Sequence, residues 1–222
     1  MNCAAIIAAA GSGSRAHLDI PKQLLPLGGK PLFLWSLRIF EKLERVREVF
    51  LVVPEGKNGE FQKAIAENSP VKLVAGGDRR QDSVLAGLNQ VSRDVDIVLV
   101  HDAARPFINA ALVNALIDTA VQQGAAIPIA PVSETLKEVS HGRVIQTLDR
   151  GSIYRAQTPQ VFQKEILLNV FRSVPQERVW TDEASMLESA GIPVAAVPGD
   201  ERNIKITYLE DFHYAEYLLS RE

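Results

Sequence analysis

Ala8 to Arg15 reads Ala-Ala-Ala-Gly-Ser-Gly-Ser-Arg, and Lys22 follows in Pro21-Lys22-Gln23. With almost no side chains in the way, the backbone N–H groups of such a loop can wrap an anion. Gly11 and Gly13 permit the torsions that wrapping needs. Arg15 and Lys22 then supply two cations within reach of whatever the loop holds. A bare backbone cradle followed by fixed positive charge suits a polyphosphate.

Three phosphate loops compete for this segment. Gly11 to Ala16 satisfies the dinucleotide spacing G-x-G-x-x-G/A. Its context fails, because Pro21 falls where the phosphate-binding helix would run. No acid closes a second strand about twenty residues on, and Pro31 to Leu37 is apolar. A Walker loop fails because Gly29-Lys30 is followed by Pro31 instead of Ser or Thr. The third reading fits every position: AAAGSGSR…PKQLLPLGGKPL resembles the signature of the nucleotidyltransferases, which join an NTP to a sugar or polyol phosphate and release pyrophosphate. The bland alternative is a glycine turn with two solvated cations.

A second set of reactive residues stands in Ile97 to Phe107, IVLVHDAARPF. Asp102 follows an apolar strand and would share a crevice with the glycine loop. There it could hold Mg²⁺ against triphosphate oxygens, since one carboxylate suffices when phosphate and water complete the shell. Its alternative is a helix cap or loop acid. Arg105 offers a phosphate a planar fork, or pairs with a nearby acid. His101 reads as a satisfied structural histidine, with a catalytic one as the alternative.

The elements that must position these residues alternate. Strands are expected at Cys3–Ala9, Glu48–Val53, Val71–Ala75, Asp96–Val100 and Ala125–Val132. Helices are expected at Leu32–Leu43, Gly59–Asn68, Arg80–Val91 and Ala110–Gln123; the third puts Val84, Leu85, Leu88 and Val91 on one face. Such alternation predicts an α/β fold, a mostly parallel twisted sheet flanked by helices, with ligands beyond the carboxyl ends of the strands. Thr135–Val139 and Arg143–Leu148 read as a β-hairpin around Ser140-His141-Gly142, with Gly142 at the position needing positive φ. A lone hairpin is marginal in water, so this one is expected to lie against something.

Composition bounds the function. The 222 residues are ample for a core, and 46% apolar with 23% charged is ordinary for a globular enzyme. A net charge of -3 gives no basic excess, which argues against nucleic acid. One cysteine, Cys3, excludes an internal disulfide. No leader and no membrane-length apolar run are read, so the expected setting is cytoplasmic, away from membranes.

Nine landmarks in order then carry a resemblance: AAAGSGSR (8–15), PKQ (21–23), GGDRRQDSV (76–84), HDAARP (101–106), ETLK (134–137), TLDR (147–150), QTPQVF (157–162), TDEAS (181–185) and NIKIT (203–207). The chain resembles the 2-C-methyl-D-erythritol 4-phosphate cytidylyltransferase family of non-mevalonate isoprenoid synthesis. The related ribitol 5-phosphate cytidylyltransferases tend to carry a second glycine where this chain has Ala10. A non-catalytic nucleotide sensor would have no need of Arg15, Lys22, Lys205 and Asp102 together. Ala16 and Ser14 depart from the family pattern beside the loop, where methionine and larger or charged residues are common.

The resemblance implies the rest. The fold would be the Rossmann-like nucleotidyltransferase fold with a protruding β-hairpin arm: one domain over 1–222, with 133–158 as a dimerisation arm. The partner would be a second copy of the chain, with CTP as substrate and Mg²⁺ or another divalent cation as cofactor. Arg15, Lys22 and Lys205 would be catalytic, although Lys205 also reads as a solubilising strand-edge lysine. Ala9, Ala10, Gly11, Gly13, Gly76, Asp78, Ser83 and Ala103 would hold the nucleotide. Asp102, Arg105, Thr135, Arg150, Thr158, Thr181 and Asp182 would hold the methylerythritol phosphate, with Thr135 and Arg150 completing the neighbouring subunit's site. Thr181-Asp182-Glu183 also reads as a helix N-terminus with a Thr cap.

Overall fold

The computed structural model describes residues 1–11 and 20–221. In chain order it contains β1 (Cys3–Ala8), β2 (Pro26–Leu27), β3 (Lys30–Pro31), α1 (Phe33–Lys42), β4 (Val46–Val53), α2 (Asn58–Ala64), β5 (Lys72–Ala75), α3 (Arg80–Leu88) and β6 (Ile97–Asp102). There follow α4 (Ala110–Gln123), β7 (Ala125–Pro131), β8 (Lys137–Ser140), β9 (Arg143–Thr147), β10 (Tyr154–Ala156) and β11 (Gln160–Gln163). The chain closes with α5 (Lys164–Ser173), α6 (Glu183–Ser189), β12 (Ala195–Pro198) and α7 (Leu209–Leu219).

The main sheet has the order β10-β7-β11-β6-β1-β4-β5, with β12 paired to β7. Strands β6, β1, β4 and β5 run parallel, while β11 lies antiparallel between β6 and β7. Successive residues of a strand face opposite sides, and β1 shows what each side meets. Ala5 and Ile7 pack with Leu37 and Phe40 of α1 and Val113 and Leu116 of α4. Ala4 and Ile6 pack with Val84 of α3, Val170 of α5 and Leu187 of α6. Helices therefore cover both faces, as the alternation predicts.

Several boundaries move for local reasons. α2 stops at Ala64 instead of Asn68, because Ile65 turns extended and buries its side chain, and Pro70 biases its predecessor away from helix. α3 stops at Leu88, short of Val91. β6 runs past Val100 through His101 and Asp102, paired with Ile7 and Ala8 of β1. Asp102 thus sits on the last rung of a central strand, a stiffer mount than a loop.

The hairpin is present as β8 and β9, a two-stranded sheet apart from the main one. Its turn differs from the expectation: His141 (φ 48°) as well as Gly142 (φ 74°) has positive φ. Two consecutive positive-φ residues match the right-handed twist of the flanking strands. Val139, Val144 and Ile145 stand 57%, 62% and 58% exposed, so the arm buries little against its own chain. Among the described residues no helix is long and apolar enough to cross a membrane.

Candidate active site

The carboxyl ends of β1, β5 and β6 open onto a cavity of about 340 Å³ whose lining includes Gly11, Lys22, Asp78, Ser83, Asp102 and Lys205. Parallel pairing creates it, because β1 and β6 end side by side with Ala8 opposite Asp102. Past those ends the backbone continues in step: Ala103 N–H donates to Ala8 O (3.1 Å), and Ala9 N–H to Val52 O (2.8 Å). Ala9 and Ala103 are fully buried, and Ala10 and Gly11 form the described edge of the loop. Gln23 Nε2 donates to Gly11 O at 3.2 Å and ties that edge to the turn carrying Lys22. Arg15 and Gly13 lie outside the described residues.

Gly76 earns its place by contact. A Cβ there would fall 2.5 Å from Ala10 Cβ and 2.8 Å from Ser83 Oγ, so only glycine lets β5 end against the loop. Ser83 Oγ accepts from Gly77 N–H at 3.2 Å and so holds the turn. Asp78 follows directly and lines the cavity.

The cations reach the cavity from a distant segment. Lys22 Nζ donates to Ile206 O at 2.6 Å, while Ile206 N–H donates to Ala104 O at 2.9 Å. Residues 203–207 are thereby strapped between the two strand exits, and Lys205 Nζ reaches Asp102 Oδ2 at 2.6 Å. The segment is not a strand, which removes the reading of Lys205 as a strand-edge lysine. Asp102 Oδ1 accepts from Arg80 Nε at 3.1 Å. Burial opposes ionisation of Asp102, but the Arg80 and Lys205 charges outweigh it and hold the carboxyl well below the usual range.

Among the described residues there is no group of three or more His, Cys, Asp or Glu arranged to hold a metal. A divalent cation would need substrate oxygens to complete its shell. Asp102 fits that part: it stays ionised, and Arg80 and Lys205 take two of the roughly four acceptor positions of a carboxylate.

The other expected substrate residues divide. Thr158 is buried beneath the site, where Asp102 N–H donates to its hydroxyl (3.1 Å) and the hydroxyl donates to His101 Nδ1 (3.0 Å). His101 Nε2 then donates to Arg105 O at 3.1 Å, since a carbonyl can only accept. His101 is thus the satisfied structural histidine its sequence context suggests. Among the described residues Arg105 hydrogen-bonds carbonyls and no acid, through Asn203 O (2.8 Å) and Ala156 O (3.2 Å). Thr135 and Arg150 are exposed on the arm, where Arg150 Nη1 donates to Ser133 O, and neither lines this chain's cavity.

At 181–183 the cap is Asp182, not Thr181: Asp182 Oδ1 accepts from Ser185 N–H at 3.0 Å. Glu183 is fully buried and grips Arg80 Nη1 with both oxygens, at 2.7 and 2.9 Å. Burial pushes the Glu183 carboxyl up, against the pull of Arg80. Sequence reasoning missed both partners. A signal existed in Glu183, an acid three and four residues before the buried Met186 and Leu187, on what periodicity marks as an apolar face.

Burial lowers the His101 pKa to about 4. Between about pH 6.5, the value for an unfolded histidine, and pH 4 the unfolded chain binds a proton that the folded chain refuses. Stability is therefore full above that window and falls as pH drops through it, by about 3 kcal/mol from this group. Urea unfolding at pH 7 and 4.5 measures the loss. The His101 ring resonances hold their neutral positions down to pH 5 in the folded protein; titration near 6.5 would contradict the buried chain.

Residues 3–221 match the family described as IspD: 2-C-methyl-D-erythritol 4-phosphate cytidylyltransferase. A bifunctional IspD/IspF enzyme of Desulfotalea psychrophila is 44% identical over 98% of this chain, which spans 57% of that enzyme's length. A 2-C-methyl-D-erythritol 4-phosphate cytidylyltransferase of Geobacillus kaustophilus is 40% identical over 99% of this chain and 98% of its own. The crystal structure of the cytidylyltransferase of that name from Thermus thermophilus superposes with a TM-score of 0.84 at 31% identity, covering 99% of this chain and all of that one.

Proposed function

Because the chain belongs to the 2-C-methyl-D-erythritol 4-phosphate cytidylyltransferase family, we propose that its cavity takes CTP and that Arg15, Lys22 and Lys205 carry the charge of the transfer. The enzyme moves CMP from CTP to 2-C-methyl-D-erythritol 4-phosphate, releasing pyrophosphate, in isoprenoid synthesis. One observation carries the residue assignment: Lys22, Asp102 and Lys205 meet in one cavity at the ends of adjacent parallel strands.

The acceptor's phosphate oxygen attacks the α-phosphorus in line, the bond to the β-phosphate oxygen breaks, and pyrophosphate leaves. The nucleophile is already ionised, so no general base is required, and positioning with charge stabilisation dominates. Arg15 and Lys22 are assigned the charges that stabilise the α-phosphate and the departing pyrophosphate, and Lys205 also serves the α-phosphate. Backbone groups of Ala9, Ala10 and Gly11 hold base and triphosphate. Gly76, Asp78, Ser83 and Ala103 surround cytosine and ribose. A small base admitted by close backbone approach is selected by size.

Asp102, Arg105, Thr158, Thr181 and Asp182 form the acceptor's side of the site, Thr158 by holding the Asp102 backbone. Asp102 would hold Mg²⁺ or another divalent cation, which supplies charge neutralisation between the phosphates. Asp102→Asn raises the Mg²⁺ concentration giving half-maximal rate, because a neutral amide is a poor ligand for a hard cation. An unchanged metal titration would assign Asp102 to structure.

The whole chain is read as one nucleotidyltransferase domain working as a cytoplasmic homodimer. Of the expected arm over 133–158, β10 (Tyr154–Ala156) pairs with β7 in the main sheet and Thr158 is buried beneath this chain's own site. The part that docks on the partner is therefore the β8–β9 hairpin with its flanks, bringing Thr135 and Arg150 to the partner's site. The exposed Val139, Val144 and Ile145 support this, since an apolar hairpin needs a surface to cover it. Pyrophosphate release tests the function, with methylerythritol phosphate against ribitol 5-phosphate and with CTP against UTP, ATP and GTP. Release is expected with CTP and methylerythritol phosphate; equal rates with ribitol 5-phosphate would overturn the acceptor assignment.

A further inference from the structure

We infer that Arg80 and Glu183 are positioning residues for the transfer, holding Asp102 so that Lys205 is aimed into the cavity. The inference rests on the reading of Asp102 and Lys205 given above and extends it to two residues with no role so far. Four charges of alternating sign run from the interior to the cavity: Glu183, Arg80, Asp102 and Lys205, with side chains 1%, 24%, 11% and 41% exposed. Contacts of 2.7, 3.1 and 2.6 Å join them in that order.

The buried end is rigidly mounted. Gln160 of β11 donates to Asp182 Oδ2 at 2.7 Å and accepts from Ala184 N–H at 3.1 Å, so it grips the first turn of α6 on both sides of Glu183. Arg80 is fixed from its own side, because the next residue, Gln81, bonds the backbone of Arg178 and Trp180 at 2.9 Å each. One planar guanidinium then spans two carboxylates, a task that an ammonium cannot copy.

The arrangement is a poor device for stability. Replacing a buried ionic cluster by apolar residues is often neutral or stabilising, and Arg80 Nη2 is buried with no hydrogen-bond partner among the described residues. It is a good device for dividing a charge. Glu183 draws Arg80 toward the interior, so Asp102 meets only Nε and keeps Oδ2 for Lys205. If Glu183 were neutral, the guanidinium would be free to close on Asp102 and compete with Lys205 for it.

Steady-state kinetics of the purified full chain, well below its melting temperature, tests this. Glu183→Gln and Arg80→Lys are expected to lower kcat at least tenfold, approaching the about 10²-fold that a 1 Å misplacement costs, with KM for CTP within about threefold of wild type. On an Asp102→Asn background each change should cost less than about threefold more, because both act through Asp102. A merely structural pair would lower the melting temperature and leave kcat of the folded enzyme unmoved, and that outcome overturns the inference. Full additivity with Asp102→Asn does so too. Wild-type kcat in Asp102→Asn itself would remove the underlying reading and the inference together. An impaired Asp102→Asn beside normal Glu183→Gln and Arg80→Lys removes the inference alone. If Glu183→Gln does not fold, Arg80→Lys and its cycle decide the question.

Discussion

Lys22→Ala lowers turnover by about 10²–10³-fold, the loss typical when one preorganised donor leaves a site where negative charge develops. The lysine is nearly buried and its ammonium donates to Ile206 O at 2.6 Å, so its charge is held in place before substrate arrives. Removing it also leaves that carbonyl short of a partner, a cost of about 1–3 kcal/mol in stability. Circular dichroism and a thermal melt therefore accompany the assay, and turnover is read below the melting transition. A folded variant with wild-type turnover would remove Lys22 from the chemistry. Arg15→Lys is expected to be costly as well, because a point charge cannot reproduce the planar fork on phosphate.

Mixing two nearly inactive variants restores activity to about a quarter of wild type, if the arm works across the interface. The variants are Lys22→Ala and Arg150→Ala. Arg150 lies on the exposed arm, outside its own chain's cavity, so its expected place is the partner's site. A two-fold dimer makes the exchange reciprocal. The mixed dimer holds one site with both defects and one with none. Random reassortment of equal amounts makes about half the dimers mixed, which yields the quarter. Mass spectrometry of tagged chains confirms reassortment. Activity that stays at the parental level despite confirmed exchange would place Arg150 outside the partner's site.

The strand that enters the glycine loop, the strand ending at His101-Asp102 and the helices between were legible because each depends on near neighbours. Small residues beside cations, apolar runs and helical periodicity are local patterns, and the β1, α1, β4 and β6 segments follow them within a few residues. Boundaries moved where tertiary burial competed with propensity, as at Ile65 and at Asp102, whose pairing with Ala8 prolongs β6. The positive φ of His141 beside Gly142 comes from the twist of the strands it joins.

The charge network was not legible, for a different reason. Arg80 meets Glu183 and Asp102 meets Lys205 across 103 residues each, and Lys22 meets Ile206 across 184. No window of sequence contains such a pair. The meetings depend on which strands lie side by side, and the antiparallel insertion of β11 between β6 and β7 places Gln160 where it holds α6 and its Glu183 against Arg80. Sequence alone predicted that this chain handles a polyphosphate with a glycine loop, fixed cations and a strand-end acid, since residue type and short spacing are enough for that expectation. Only the tertiary structure decided which acid meets which cation, because a sheet's strand order is set by burial of whole faces and not by any local signal.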